Sequence, residues 1–233
     1  MVVTELAHSE SEEEWKSWER IFRILTRFVD PSDHNISLGK HLELIDGILD
    51  LDERKRVIDW IKFLSKAGFD FDDPTEETAP ALINATRPET PPSLMDLILK
   101  CGADPNISVD HEYPVHLVLL FGWAEIKECL SAYDKDTDLA TEEIMCLTIA
   151  KLVFLFKAGC DIHAFNRYGQ TPSMLAEKLD LLVLVLWRKA LELCDIVYED
   201  VVAADTEILR RGRTSGAEFH AAMRDRTYLR KRR

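Results

Sequence analysis

Residues 94–130 read LMDLILKCGADPNISVDHEYPVHLVLLFGWAEIKECL, and the order of their parts decides how the rest of the chain is read. An apolar helical run over 94–100 is stopped by Gly102, a polar segment follows over 103–113, and Pro114 starts a second apolar run. Glycine just past a helix reaches the left-handed conformation that satisfies the last carbonyls, and proline suits the first helical turn, where its missing N–H has no partner to lose. The stop recurs. Lys-x-Gly-x-Asp stands at Gly68 with Asp70, Gly102 with Asp104 and Gly159 with Asp161; a proline, Pro80, Pro114 or Pro172, follows each glycine by 12, 12 and 13 residues. Each aspartate is placed to accept backbone N–H bonds and hold the turn after its helix. Thr171 supplies a hydroxyl cap ahead of Pro172, whereas Ala79 and Tyr113 precede the other two prolines, so those helix starts are expected to be weaker.

The glycines are 34 and 57 residues apart. Together with Leu-Ile-Leu-Lys-Cys-Gly-Ala-Asp-Pro-Asn over 97–106, Tyr-Pro-Val-His-Leu over 113–117 and Phe-Gly-Trp-Ala-Glu-Ile-Lys-Glu-Cys-Leu over 121–130, the first interval resembles the ankyrin repeat, whose period is about 33 residues. The Thr-Pro-Ser segment at 171–173 adds a similarity to ankyrin proteins of filamentous fungi. The resemblance implies an all-α fold: an ankyrin-repeat solenoid of about four imperfect helix-turn-helix repeats with N- and C-terminal helical caps. The expected layout is a capping helix within 1–36, a repeat domain over 37–204 and a basic tail over 205–233. Within it, an inner helix is expected from Pro114 to Phe121 and an outer one from Ala124 to Ala132, with a turn at Gly122. Residues 133–158 are expected to be an irregular repeat without finger or proline start. The sequence leaves open whether the helix there runs unbroken to Lys157 or bends near Ala150. In the family, a histidine two residues after the proline ties neighbouring finger bases; His116 keeps it, while Leu82 and Met174 do not, which implies an array that leans on apolar packing.

The resemblance further implies a non-catalytic scaffold or adaptor that binds a protein with its finger tips and concave helical face. By position the tips carry Asp72, Asp73 and Glu76, then Ser108, Asp110, His111, Glu112 and Tyr113, then Phe165, Asn166, Arg167 and Tyr168. Tyr113, Phe165 and Tyr168 are of the type that anchors interfaces, or else they pack finger on finger. The carboxylates along the ridge predict an acidic surface and a partner with a basic one.

Composition agrees with a folded chain: 233 residues, 46% hydrophobic and 30% charged, with a net charge of −13. The charge is uneven, because residues 205–233 hold nine Arg and Lys against four Asp and Glu. Nucleic acid is therefore expected to be reached only through that tail, which ends Leu229-Arg-Lys-Arg-Arg233. Trp15, Trp18, Ile21, Phe22, Leu25 and Phe28 recur at helical spacing and predict the N-terminal capping helix, the two indoles serving either in packing or as partner anchors. Cys101, Cys129, Cys146, Cys160 and Cys194 show no Cys-x-x-Cys pair and read as reduced, mostly buried thiols of a cytoplasmic protein, or of a nuclear one if the tail is an import signal. No membrane span, phosphate loop or nucleophile elbow is present in the sequence, and no cofactor or small-molecule substrate is expected. The alternatives are a helical enzyme or zinc-dependent protein built on Cys160 and His163, or a nuclear regulator acting through the tail; zinc needs four convergent ligands, which the spacing of the remaining cysteines and histidines does not supply.

Overall fold

A computed structural model describes residues 51–66, 68, 70–72, 79–131 and 137–214. The expected capping helix of 1–36, the end of the tail over 215–233, and Asp73 and Glu76 lie outside the described residues. Among the described residues the fold is all-α, with helices α1 (Leu51–Lys66), α2 (Ala81–Ala85), α3 (Pro92–Lys100), α4 (Pro114–Ser131), α5 (Thr137–Lys157), α6 (Pro172–Leu179), α7 (Leu181–Glu192) and α8 (Tyr198–Thr214). α2 pairs with α3, α4 with α5 and α6 with α7, while α5 also packs on α3 and α7, α3 on α1, and α4 on α2 and α6. The helices thus form two layers, α1, α3, α5 and α7 in one and α2, α4 and α6 in the other.

One apolar core runs through the stack. It includes Ile61, Leu64, Leu82, Met95, Ile98, Leu119, Leu152, Leu155, Trp187 and Leu191. Trp187 is fully buried, donates from Nε1 to Ser173 Oγ at 3.1 Å and meets Phe156 edge to face at 5.2 Å. That bond removes the one polar liability of a large apolar side chain.

The helix stops are built as their residues predict. Gly68, Gly102 and Gly159 have φ of 85°, 105° and 87°. After α3, Gly102 N–H donates to Leu99 O at 3.1 Å and Ala103 N–H to Ile98 O at 3.3 Å; after α5, Gly159 N–H donates to Phe156 O at 3.0 Å and Cys160 N–H to Leu155 O at 3.1 Å. α7 ends the same way without a glycine: Asp195, at φ 57°, donates to Glu192 O at 3.1 Å, and Ile196 donates to Leu191 O at 3.0 Å. A left-handed aspartate is costlier than glycine there.

The expected turn at Gly122 is absent. α4 runs continuously from Pro114 to Ser131, and Gly122 sits buried inside it, against α5. A Cβ on Gly122 would lie 2.6 Å from Thr148 Oγ1, so the glycine permits close helix approach instead of a reversal. α5 is likewise unbroken over its 21 residues, which settles the open question near Ala150. The 57-residue interval is consequently filled by one lengthened pair, α4 and α5, and residues 137–157 are its second helix and not a separate irregular unit. α5 also ties back to the preceding pair. Its buried Lys151 donates from Nζ to the carbonyls of Thr86 and Arg87, just past the end of α2, where a helix presents partial negative charge.

Gly122→Ala is expected to destabilise the fold by about 1–3 kcal/mol through overpacking, against a helix-propensity gain of about 1 kcal/mol. In a Thr148→Ala background most of that loss should vanish, since only the β-carbon at 3.3 Å then remains in the way. A double-mutant cycle by urea denaturation checks this, and additive losses would contradict the contact.

Candidate functional site

The three turns after the glycines stack into a ladder. In each, the aspartate accepts the N–H two residues on: Asp70 Oδ1 from Asp72 at 2.9 Å, Asp104 Oδ1 from Asn106 at 2.8 Å and Asp161 Oδ1 from His163 at 2.9 Å. The residue so fixed then reaches the next turn. Both Asp72 carboxylate oxygens accept Asp104 N–H at 3.0 Å; Asn106 Oδ1 accepts Asp161 N–H at 2.5 Å, and its Nδ2 donates to Gly159 O at 3.3 Å. The turn at Gly159 is therefore the direct neighbour of the turn at Gly102. At the third rung His163 Nδ1 meets Asp205 Oδ1 of α8 at 2.5 Å, and Thr171 Oγ1 donates to Asp205 Oδ2 at 2.6 Å while accepting from Met174 N–H at 3.4 Å. Asp205, the first residue of the expected tail, is thus buried in the stack, and α8 continues to Thr214.

This ladder presents two finger tips side by side. The first is a two-residue hairpin: Val109 N–H donates to Glu112 O at 3.1 Å and Glu112 N–H to Val109 O at 2.9 Å. Its tip residues Asp110 and His111 have φ of 51° and 63° and are exposed. Both central residues of such a turn need positive φ, which explains the usual Asn-Gly; here two side-chain-bearing residues take the strain. The second tip is pinned from within. Buried Asn166 accepts at Oδ1 from Tyr168 N–H and Gln170 N–H, each at 3.0 Å, and Gly169 closes the loop at φ 71°. Arg167 joins the tips. Its Nε lies 3.0 Å from Glu112 Oε1, and its guanidinium sits 4.9 Å from the Tyr168 ring centre. Tyr168 itself is 66% exposed.

Among the described residues the expected ridge exposes fewer of its carboxylates than the sequence indicates. Asp72 is half-buried and spends its carboxylate on the ladder; burial raises its pKa, with the Asp104 N–H opposing. Glu112 is buried beside Arg167, and burial pushes its carboxyl up against the pull of that guanidinium. Asn166 is a loop-holding residue and offers no surface. Tyr113 is half-buried, packs on the core and tilts against His116 at 5.9 Å. Ser108 and Phe165 are half-buried as well. Among the described tip residues Asp110, His111, Arg167 and Tyr168 are exposed, and they carry both signs of charge and one aromatic ring. The polar tie expected of His116 is present. Its Nε2 donates to Gln170 O at 3.1 Å, joining α4 to the base of the second finger, and burial lowers its pKa to about 4.

Asn106, Lys151 and Asp205 hold the stack together and were not among the expected structural residues. Asn106 was findable, because it occupies the place of Asp72 and His163 two residues beyond the turn aspartate. The five thiols are unbonded; four are half-buried and Cys146 is exposed, so the expectation of mostly buried cysteines is met only in degree. Burial, helped by Asp161 and Cys194, pushes Cys160 up to about 12, which makes it a poor nucleophile. Among the described residues no group of three or more His, Cys, Asp and Glu is arranged to hold a metal ion, and no helix is long and apolar enough to cross a membrane. No protein-family profile matches the chain, and no curated protein matches it in sequence.

Because the folded state holds His116 neutral, with a pKa of about 4 against 6.5, its contribution to stability is complete above pH 6.5 and lost as pH falls toward 4. The loss is expected to reach about 3 kcal/mol, and His116→Gln should flatten the pH dependence of denaturation midpoints across that window. Asp195→Gly is expected to raise stability by up to about 1 kcal/mol by relieving the left-handed aspartate after α7. Thermal or urea denaturation checks both.

Proposed function

We propose that the chain is a non-catalytic, intracellular protein-interaction module of ankyrin-repeat type, and that its two adjoining finger tips form the docking face. The observation that carries this reading is the patch of Asp110, His111, Arg167 and Tyr168, exposed together and linked across 55 residues by the Glu112–Arg167 ion pair. The ladder supports the repeat reading, since the same aspartate-closed turn recurs three times and, in the first two, the side chain two residues on takes the backbone N–H of the next turn. The strained hairpin supports the binding reading, because it places Asp110 and His111 together at its exposed tip. Arg167 and Tyr168 are the residue types that dominate interface energies, and their guanidinium–ring contact preorganises both. The partner that fits is a protein offering an apolar or aromatic contact to Tyr168, ringed by groups of both signs, with a basic group opposite Asp110.

A pull-down from native extract, followed by titration of the purified partner, tests this. Tyr168→Ala is expected to weaken binding at least about tenfold, with the melting temperature unchanged. Asp110→Lys should weaken binding and reduce its salt dependence. A partner whose affinity ignores both substitutions binds elsewhere, and the docking face is then wrong.

A further inference from the structure

Arg167 is held at one edge and along one face, and its other edge is unused. Its Nε lies 3.0 Å from Oε1 of the buried Glu112, and its guanidinium carbon sits 4.9 Å from the centre of the Tyr168 ring. The loop that carries it is fixed too, since buried Asn166 accepts the N–H groups of Tyr168 and Gln170. Among the described residues Arg167 has no other hydrogen bond or ion pair, and neither Glu112 oxygen takes a hydrogen bond from it. Its side chain is 54% exposed. A guanidinium is a rigid plane, so turning Nε toward one carboxylate leaves the Nη1–Nη2 edge with two parallel N–H groups at the spacing of a second carboxylate's oxygens. Because Glu112 and Tyr168 already order the side chain, a group that docks on that edge has less freedom to remove.

We propose that Arg167 receives a carboxylate of the docked protein on its Nη edge, in the parallel two-bond arrangement, while an apolar side chain beside that carboxylate covers the open face of Tyr168. This rests on the finger tips being the docking face. Tyr168 is 66% exposed with the guanidinium against one face of its ring, so the apolar neighbour meets the other face. A singly charged carboxylate fits better than a doubly charged phosphate. Glu112 already offsets part of the guanidinium's charge, and Asp110 stands exposed two residues from Glu112 on the same hairpin, where it repels a second negative charge. With an acidic group at Arg167 and a basic one opposite Asp110, the direction in which the partner lies across the tips is fixed. Side-chain and chain-terminal carboxylates share this chemistry, and capped peptides separate the two.

The full-length chain, isotope-labelled at arginine, tests this by NMR of its side-chain N–H signals, with Arg167→Lys identifying the Arg167 signal. Titration to millimolar levels with the capped peptide Ac-Gly-Glu-Gly-Leu-Gly-NH2 is expected to shift that signal, and the glutamine counterpart is expected to bind at least about tenfold more weakly. The glutamine peptide with a free C-terminus reports whether a chain-terminal carboxylate serves as well. No response to either carboxylate, an equal response to the capped glutamate and glutamine peptides, or tighter binding of a phosphoserine counterpart overturns the proposal. With the partner from the pull-down, Arg167→Lys keeps a cation beside Glu112 but loses the two-bond edge, and it is expected to weaken binding about tenfold with the melting temperature unchanged. Unchanged affinity of that variant, in a partner that still responds to Tyr168→Ala, overturns the role of Arg167 and leaves the docking face standing. A partner that ignores both Tyr168→Ala and Asp110→Lys refutes the docking face itself, and this proposal with it.

Discussion

Everything in the stack depends on one recurring contact, in which a side chain fixed by its own turn takes the backbone N–H at the start of the next. Asp72 does this for Asp104, and Asn106 does it for Asp161. The apolar core supplies most of the stabilisation but is non-directional, so it does not say which turn lies beside which. The polar rung does, because a displacement of one residue would leave Asp72 and Asn106 without their donors. Each bond contributes only about 1 kcal/mol net, and its larger effect is to set the register in which the tips of the two fingers arrive together.

Where a local rule acts alone, the sequence was read correctly. A glycine past a helix takes positive φ without the cost a side chain would add, and an aspartate two residues later finds its N–H within the same turn; Gly68, Gly102 and Gly159 therefore behave as their spacing says. Gly122 misled for a reason of the same kind. Local rules allow a glycine either to stop a helix or to let another helix come close, and only Thr148, 26 residues away, decides between them. Asp195 stands where the other stops carry glycine, so no glycine marks the end of α7. In α5, covered by α3, α4 and α7, apolar periodicity fades, and the buried Lys151 sits in a stretch where an exposed lysine would be assumed.

The finger tips show the same boundary. Counting from the turn aspartates locates them, but it cannot separate a residue that faces out from one that faces the next finger. Glu112 and Asn166 looked like surface by type; the first is buried by a neighbour more than fifty residues on and the second by its own loop. Asp205 stands at the head of the basic segment, and what it binds, His163 and Thr171, carries no mark that a distant carboxylate is needed.

The lengthened α4 and α5 change how the whole array behaves as a mechanical object. At 18 and 21 residues they reach about 27 and 31 Å, while α2 and α3 on one side and α6 and α7 on the other are far shorter. Leu130, near the end of α4, and Leu139, near the start of α5, stand exposed. A regular solenoid resembles a uniform spring whose couplings are all alike. Among the described residues the couplings differ: the longest helix, α5, packs on α3, α4 and α7 and so ties three helix pairs together.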